Sequence, residues 1–236
     1  MPFTDKLVLV TGGTGALGAA VLGKLLEQGA QCVVPYRSEP EAERFVHRDN
    51  KNVRLVAAGD LADEAVVDGL YDGLSLWASI HIAGGFAAGA VEDTDKAALM
   101  KQIEGNLVSC FLCCRAAVKA IKAAGQNGDK GGRIVNVAAR PALEPRSGAG
   151  MSAYTIAKSG VATLSIALAE EVAKDGILVN AVAPSIMDTP ANRKGMPKAN
   201  FDKWPKVEEV AATIVFLASP ANAVTRGGIV PVYGKS

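Results

Sequence analysis

Aromatic side chains are scarce in this 236-residue chain, at 5% of its residues, although 49% are hydrophobic. A core therefore has to be built from Ala, Val and Leu, with 25 glycines available for tight turns. Surplus charge is missing as well. Lys and Arg number 25 against 24 Asp and Glu, which excludes a surface built to hold a polyanion, so any phosphate recognition has to be local. No apolar run approaches the ~20 residues of a membrane span, and the opening "MPFTDKLVLVTGG" has no basic-then-apolar leader. A soluble, cytoplasmic protein in a reducing compartment is expected.

Cysteine is limited to Cys32, Cys110, Cys113 and Cys114. The last three share about one helix face, which raises zinc, but no second Cys pair or His pair lies near in sequence to complete a ligand set. They read as buried thiols that pack like small hydrophobes.

What is present is an alternation. Short β-branched runs at 6–10, 31–36, 52–58, 76–83, 132–138, 177–183 and 228–232 read as strands buried on both faces. Ala/Leu-rich helical patterns separate them, such as 15–28 and 152–174. The expected fold is α/β: one domain over 1–236, a doubly wound Rossmann-type sheet of seven parallel strands with helices on both faces. Two segments break the rhythm. "GQNGDKGG" (125–132) reads as a polar surface turn, and the Pro-rich 184–206 reads as a lid over a site, with Asp188 as a helix cap.

The first strand runs into "TGGTGALG". Gly12, Gly13, Gly15 and Gly18, with Leu17 beside them, allow backbone N–H groups and a helix N-terminus to approach a pyrophosphate. Cofactor choice is expected at the end of the second strand, where an acid would bind the ribose 2′-OH of NAD. Tyr36 stands there and Arg37 and Ser38 follow, a guanidinium and a hydroxyl suited to the 2′-phosphate of NADP. Further on, Tyr154 and Lys158 lie four residues apart and so on one helix face. A free phenol has a pKa near 10. The ammonium and an oxidised nicotinamide are expected to lower it, making Tyr154 a proton donor as hydride arrives.

These motifs, with Asp60-Leu61, "HIAGG" at 81–85 and Asn106 between them, occur in an order that resembles the short-chain dehydrogenase/reductase family over nearly the whole chain. The resemblance implies that Asp60 and Leu61 border the adenine and that Ala83 and Gly84 lie along the cofactor. It implies that Asn106 helps hold a proton-relay water, and that Thr189 and the backbone after Pro184, at Ile186, meet the nicotinamide carboxamide. Apolar helices at 106–124 and 152–174 resemble those that pair subunits in the family, so a homodimer or homotetramer is expected.

One family element is missing. The usual serine at the end of the fifth strand is replaced by Ala138 and Ala139, so either Ser147 or Ser152 substitutes from a loop two residues longer than the family norm, or the hydroxyl is not needed. "IAGGFAAG", the segment from "AARPAL" to "YTIAK", and "DTPANRKGMPKANFDKW" resemble dihydropteridine reductases, which carry alanine there and reduce an activated quinonoid. Members of that group prefer NADH and have an acid where this chain has Tyr36-Arg37. An NADPH-dependent ketone or 3-oxoacyl reductase is the alternative, and a catalytically weak NADP-binding sensor a third.

Overall fold

The computed structural model describes residues 1–125 and 131–236. The polar turn expected over 125–132 falls mostly on 126–130, outside the described residues. Seven strands form one sheet: β1 (Leu7–Thr11), β2 (Gln31–Tyr36), β3 (Val53–Ala57), β4 (Ala78–His81), β5 (Gly132–Val137), β6 (Ile177–Pro184) and β7 (Ile229–Val232). Their order is β3-β2-β1-β4-β5-β6-β7, and every pairing is parallel. All six residues of β5 are buried, whereas the edge strand β3 is half-exposed. That gradient follows from a sheet covered on both faces, where central strands lose solvent completely and edges do not.

The helices are α1 (Ala16–Glu27), α2 (Glu39–Glu43), α3 (Glu64–Tyr71), α4 (Lys96–Gln102), α5 (Ser109–Gly125), α6 (Arg140–Leu143), α7 (Ser152–Glu171), α8 (Pro190–Gly195) and α9 (Val207–Ala218). Apolar side chains of α1 (Leu17, Val21, Leu22, Leu25) and α9 (Val210, Ile214, Leu217) cover one face of the sheet. Those of α3, α5 and α7 cover the other, with Leu70, Cys113, Ile121 and Val161 against Leu9, Ile134 and Val179. Each fully buried Leu, Ile or Val contributes roughly 1.5–3 kcal/mol, and the shortage of aromatics is met by many such small side chains. No helix among the described residues is long and apolar enough to cross a membrane.

Chain order reverses between β1 and β4. β2 and β3 run outward on one side of β1, and β4 returns on the other. Loops leaving the C-terminal ends of β1 and β4 therefore splay apart over a crevice, which is where ligands bind in open α/β sheets.

Candidate active site

Two cavities open along that crevice. One of about 460 Å³ is lined by Gly12, Tyr36, Arg37, Glu41, Asp60 and Leu61 at its outer part. The other, of about 220 Å³, is lined by Leu17, Phe86, Ala138, Ala139, Tyr154 and Lys158 among others. Gly84, Gly85 and Asn106 border both, so the two form a continuous trough from the end of β2 to the start of α7.

The glycine-rich turn is shaped for an approaching chain of polar atoms. Gly12 has φ +66°, and a Cβ there would lie 2.7 Å from the Ala83 amide nitrogen. Gly18 sits against the turn itself, where a Cβ would fall 2.2 Å from the Gly12 carbonyl oxygen. Gly15 is the N-cap of α1, and no side chain among the described residues caps that helix. Its first-turn N–H groups thus point into the crevice with the positive end of the helix dipole behind them. These features fit a dinucleotide's pyrophosphate. Gly13, buried beside Val34, and Gly15 and Gly18 serve the turn's shape and do not line the cavities, whereas Leu17 reaches the smaller one.

At the outer end Arg37 lines the groove and Ser38 is the exposed N-cap of α2. The Tyr36 hydroxyl donates to Glu39 Oε1 at 2.9 Å. Asp60 Oδ1 accepts from the Ala62 amide at 3.0 Å, which turns the chain after β3, and Asp60 and Leu61 border the groove.

Tyr154 lies in the first turn of α7, and Lys158 follows one turn later on the same face. Lys158 is buried, and its Nζ donates to the Val137 carbonyl oxygen at 2.8 Å. That contact ties α7 to the end of β5 and keeps the ammonium 6.0 Å from the Tyr154 ring centroid. Burial pushes the phenol of Tyr154 up to about 12. The depressed phenol pKa anticipated from the spacing is therefore not a property of the cofactor-free protein: desolvation outweighs an ammonium that is turned toward a carbonyl. Burial likewise pulls Lys158 down to about 8.

Asn106 sits in a π-helical turn, Ile103–Val108, between α4 and α5. Such turns often mark functional positions. Its Nδ2 donates to the carbonyls of Gly85 and Gln102, both at 3.0 Å, and its Oδ1 accepts from the Gly85 amide at 3.2 Å. The side chain thus clamps the loop after β4, and its amide is committed to positioning Gly84 and Gly85.

Ala138 and Ala139 line the smaller cavity and bring no hydroxyl to it. Ser147 and Ser152 do not line it; Ser147 Oγ donates to Glu144 O at 2.8 Å. Ser147 lies in a 3-10 turn, Pro145–Gly148, that follows α6, and Ser152 is the first residue of α7. Pro184 at the end of β6 and Ser185 and Met187 beyond it reach the cavity, while Ile186 is 45% exposed and Thr189 caps α8 by accepting from the Asn192 amide at 3.2 Å. The expected cap, Asp188, instead takes both oxygens to Arg193, at 2.6 and 2.8 Å.

Several lining residues were not singled out by sequence. Phe86 packs edge-on against Tyr154, with centroids 5.1 Å apart at 83°; an aromatic after "IAGG" in a chain so poor in aromatics is the signal for it. Glu41 is another. Ser38 and Glu41 form an S-x-x-E pattern, which marks a helix start in which the glutamate reaches back to the N-cap amide. Here Glu41 Oε2 accepts from the Arg37 amide at 3.0 Å, and Oε1 accepts from the Thr14 hydroxyl.

Behind the site, His81 of β4 comes beside Cys110 and Cys114, with one donor atom of each within 4.8 Å of the others. Distance along the chain hid this histidine from the sequence-based ligand count. Its Nε2 contacts the hydroxyls of Ser79 (2.8 Å) and Tyr71 (3.2 Å), and its Nδ1 contacts Asn136 Oδ1 at 2.8 Å. All four cysteines are buried free thiols, and the cluster reads as a hydrogen-bonded core.

A family model described as short chain dehydrogenase matches residues 6–200. Galactitol 2-dehydrogenase of Rhizobium johnstonii is 32% identical over 95% of this chain and 92% of its own length. Among solved structures, ElxO with NADP bound is 25% identical and aligns with a TM-score of 0.86 over 97% of each chain. A 3-ketoacyl-(acyl-carrier-protein) reductase from Brucella melitensis, complexed with NADH, is 25% identical with a TM-score of 0.85 over 98% of each chain.

Proposed function

The chain belongs to the short-chain dehydrogenase family and is an oxidoreductase, and from that premise we propose that it is an NADP(H)-dependent reductase of an activated, conjugated acceptor. A quinonoid dihydropteridine is the sharpest form of the proposal. The observation that carries it is a cavity where Tyr154 and Lys158 meet Ala138 and Ala139, with a proton donor retained and no hydroxyl from the end of β5. A ketone depends on donors that polarise its oxygen in the transition state. A strained quinonoid accepts hydride with less help. The edge-on Phe86 and the apolar wall of Leu17, Val137 and Met187 suit a flat ring. The pterin form rests on the sequence motifs.

Reduced nicotinamide, when bound, supplies the hydride. Burial pushes the Tyr154 phenol up to about 12 in the cofactor-free protein, so Tyr154 enters the reaction neutral and its Oη carries the proton that the acceptor needs. Lys158, still mostly ammonium at pH 7 with a pKa of about 8, stabilises the phenolate left behind and is placed to hold ribose hydroxyls. Asn106 fixes the Gly84–Gly85 loop along which the nucleotide runs. Arg37 supports NADP(H): its exposed guanidinium borders the groove, and among the described residues no ion pair engages it.

Reduction of a ketone or 3-oxoacyl thioester is the second reading, favoured by the likeness to a 3-ketoacyl reductase. NADPH oxidation by the purified protein, measured with quinonoid dihydropterin and with acetoacetyl thioester, separates the two. Turnover of the thioester alone would sink the first. Self-association through α5 and α7 belongs to the same proposal, supported by exposed Phe111 on α5 and by Ile156 and Ile166 on α7.

A further inference from the structure

The end of β2 is where the adenosine ribose 2′ position lies in this type of fold. The chain has no acid there, yet the structure delivers one. Glu41, from the third position of α2, is half-buried in the groove wall beside Tyr36 and Arg37. One carboxylate oxygen takes the Thr14 hydroxyl, from the glycine-rich turn 27 residues earlier, and the other takes the Arg37 amide at 3.0 Å. A carboxylate that only capped α2 would accept from the Ser38 amide, and no side-chain cap is made to that helix. Glu41 instead bridges the two loops that a 2′-substituent must contact.

We propose that Glu41 is a cofactor-specificity residue: its carboxylate occupies the anion seat formed by the Thr14 hydroxyl and the Arg37 amide. NADP(H) has to displace it to place a 2′-phosphate there, whereas NAD(H) uses it as the acceptor for its 2′-OH. The other charged groups around the seat leave it in place. Glu39 is turned to the Tyr36 hydroxyl, Asp60 is held by the Ala62 amide, and the Arg37 side chain is exposed. Arg37 thus attracts the phosphate while Glu41 opposes it, giving a protein whose preference for NADP(H) is held in check.

This rests on the nucleotide-binding reading, and calorimetric titration tests it without activity. Wild type, Glu41→Gln, Glu41→Ala and Glu39→Gln are titrated with NADPH, NADH and 2′,5′-ADP at one fixed salt concentration, with thermal melts to confirm folding. A carboxylate about 5 Å from a dianion near water corresponds to on the order of tenfold in affinity. Glu41→Gln keeps acceptor atoms but loses the charge. It is expected to tighten NADPH and 2′,5′-ADP about tenfold while NADH tightens by none of that factor, and Glu39→Gln is expected to leave the NADPH-to-NADH ratio as in wild type. If both Glu41 variants fold and bind NADPH and NADH with the wild-type ratio, the role of Glu41 is refuted and nucleotide binding stands. If wild type binds neither cofactor, the reading beneath it fails as well.

Discussion

Lys158→Met should make the protein more stable near neutral pH while removing its activity. Lys158 is only 6% exposed, and burial lowers its pKa from 10.5 to about 8. At ~1.4 kcal/mol per unit, keeping the ammonium buried costs the fold roughly 3 kcal/mol below pH 8. Methionine of similar length fills the space without that cost, but the Val137 carbonyl loses its donor, which gives back ~1–1.5 kcal/mol. The net expectation is a gain of about 2 kcal/mol at pH 7. The pH dependence has a definite sign. Between about pH 8 and 10.5 the unfolded chain binds the proton and the folded one does not, so wild-type stability rises with pH through that window relative to the variant. By pH 10 the gain should vanish or reverse. Urea unfolding of both proteins at pH 7 and pH 10, followed by the fluorescence of Trp77 and the buried Trp204, measures the difference while other titrating groups cancel. A difference between the two proteins that is the same at both pH values would mean that the ammonium is not desolvated in the fold.

Two further outcomes follow from the trough. Arg37→Ala is expected to weaken NADPH binding by ~1–3 kcal/mol, the scale of a lost charge-assisted contact, and to leave NADH nearly unchanged; equal losses would remove Arg37 from the 2′ end. Ala139→Ser restores a hydroxyl at a residue whose backbone is extended and which already caps α6, a position serine tolerates well. It is expected to raise kcat/KM for an unactivated ketone by about tenfold or more while changing turnover of the quinonoid little, and no rise for the ketone would mean that the absent hydroxyl does not set substrate class.

The strands were legible because central parallel strands are nearly continuous Val/Ile/Leu runs, and β1, β2, β5, β6 and β7 begin and end within a residue of where those runs do. Tyr154, Lys158, Asn106, Arg37 and the glycine turn converge on one trough for the same reason: their order along the chain tracks loops at one end of the sheet. Effects that depend on three-dimensional surroundings were not legible. The direction of the Tyr154 pKa is set by desolvation, which spacing does not report. Thr189 and not Asp188 caps α8, because an arginine five residues on from Asp188 captures its carboxylate. Glu41 and His81 meet partners many residues away along the chain, Thr14 for one and Cys110 with Cys114 for the other.

Tyr154 delivers the proton that accompanies hydride transfer in the proposed reaction. This role is tested most directly by NADPH oxidation with quinonoid dihydropterin and with acetoacetyl thioester, comparing wild type with Tyr154→Phe. Loss of the donor should lower kcat by about 10²–10⁴-fold on whichever substrate is turned over, with NADPH still bound at its wild-type affinity. Unchanged turnover in Tyr154→Phe would contradict the assignment, whichever substrate the enzyme accepts.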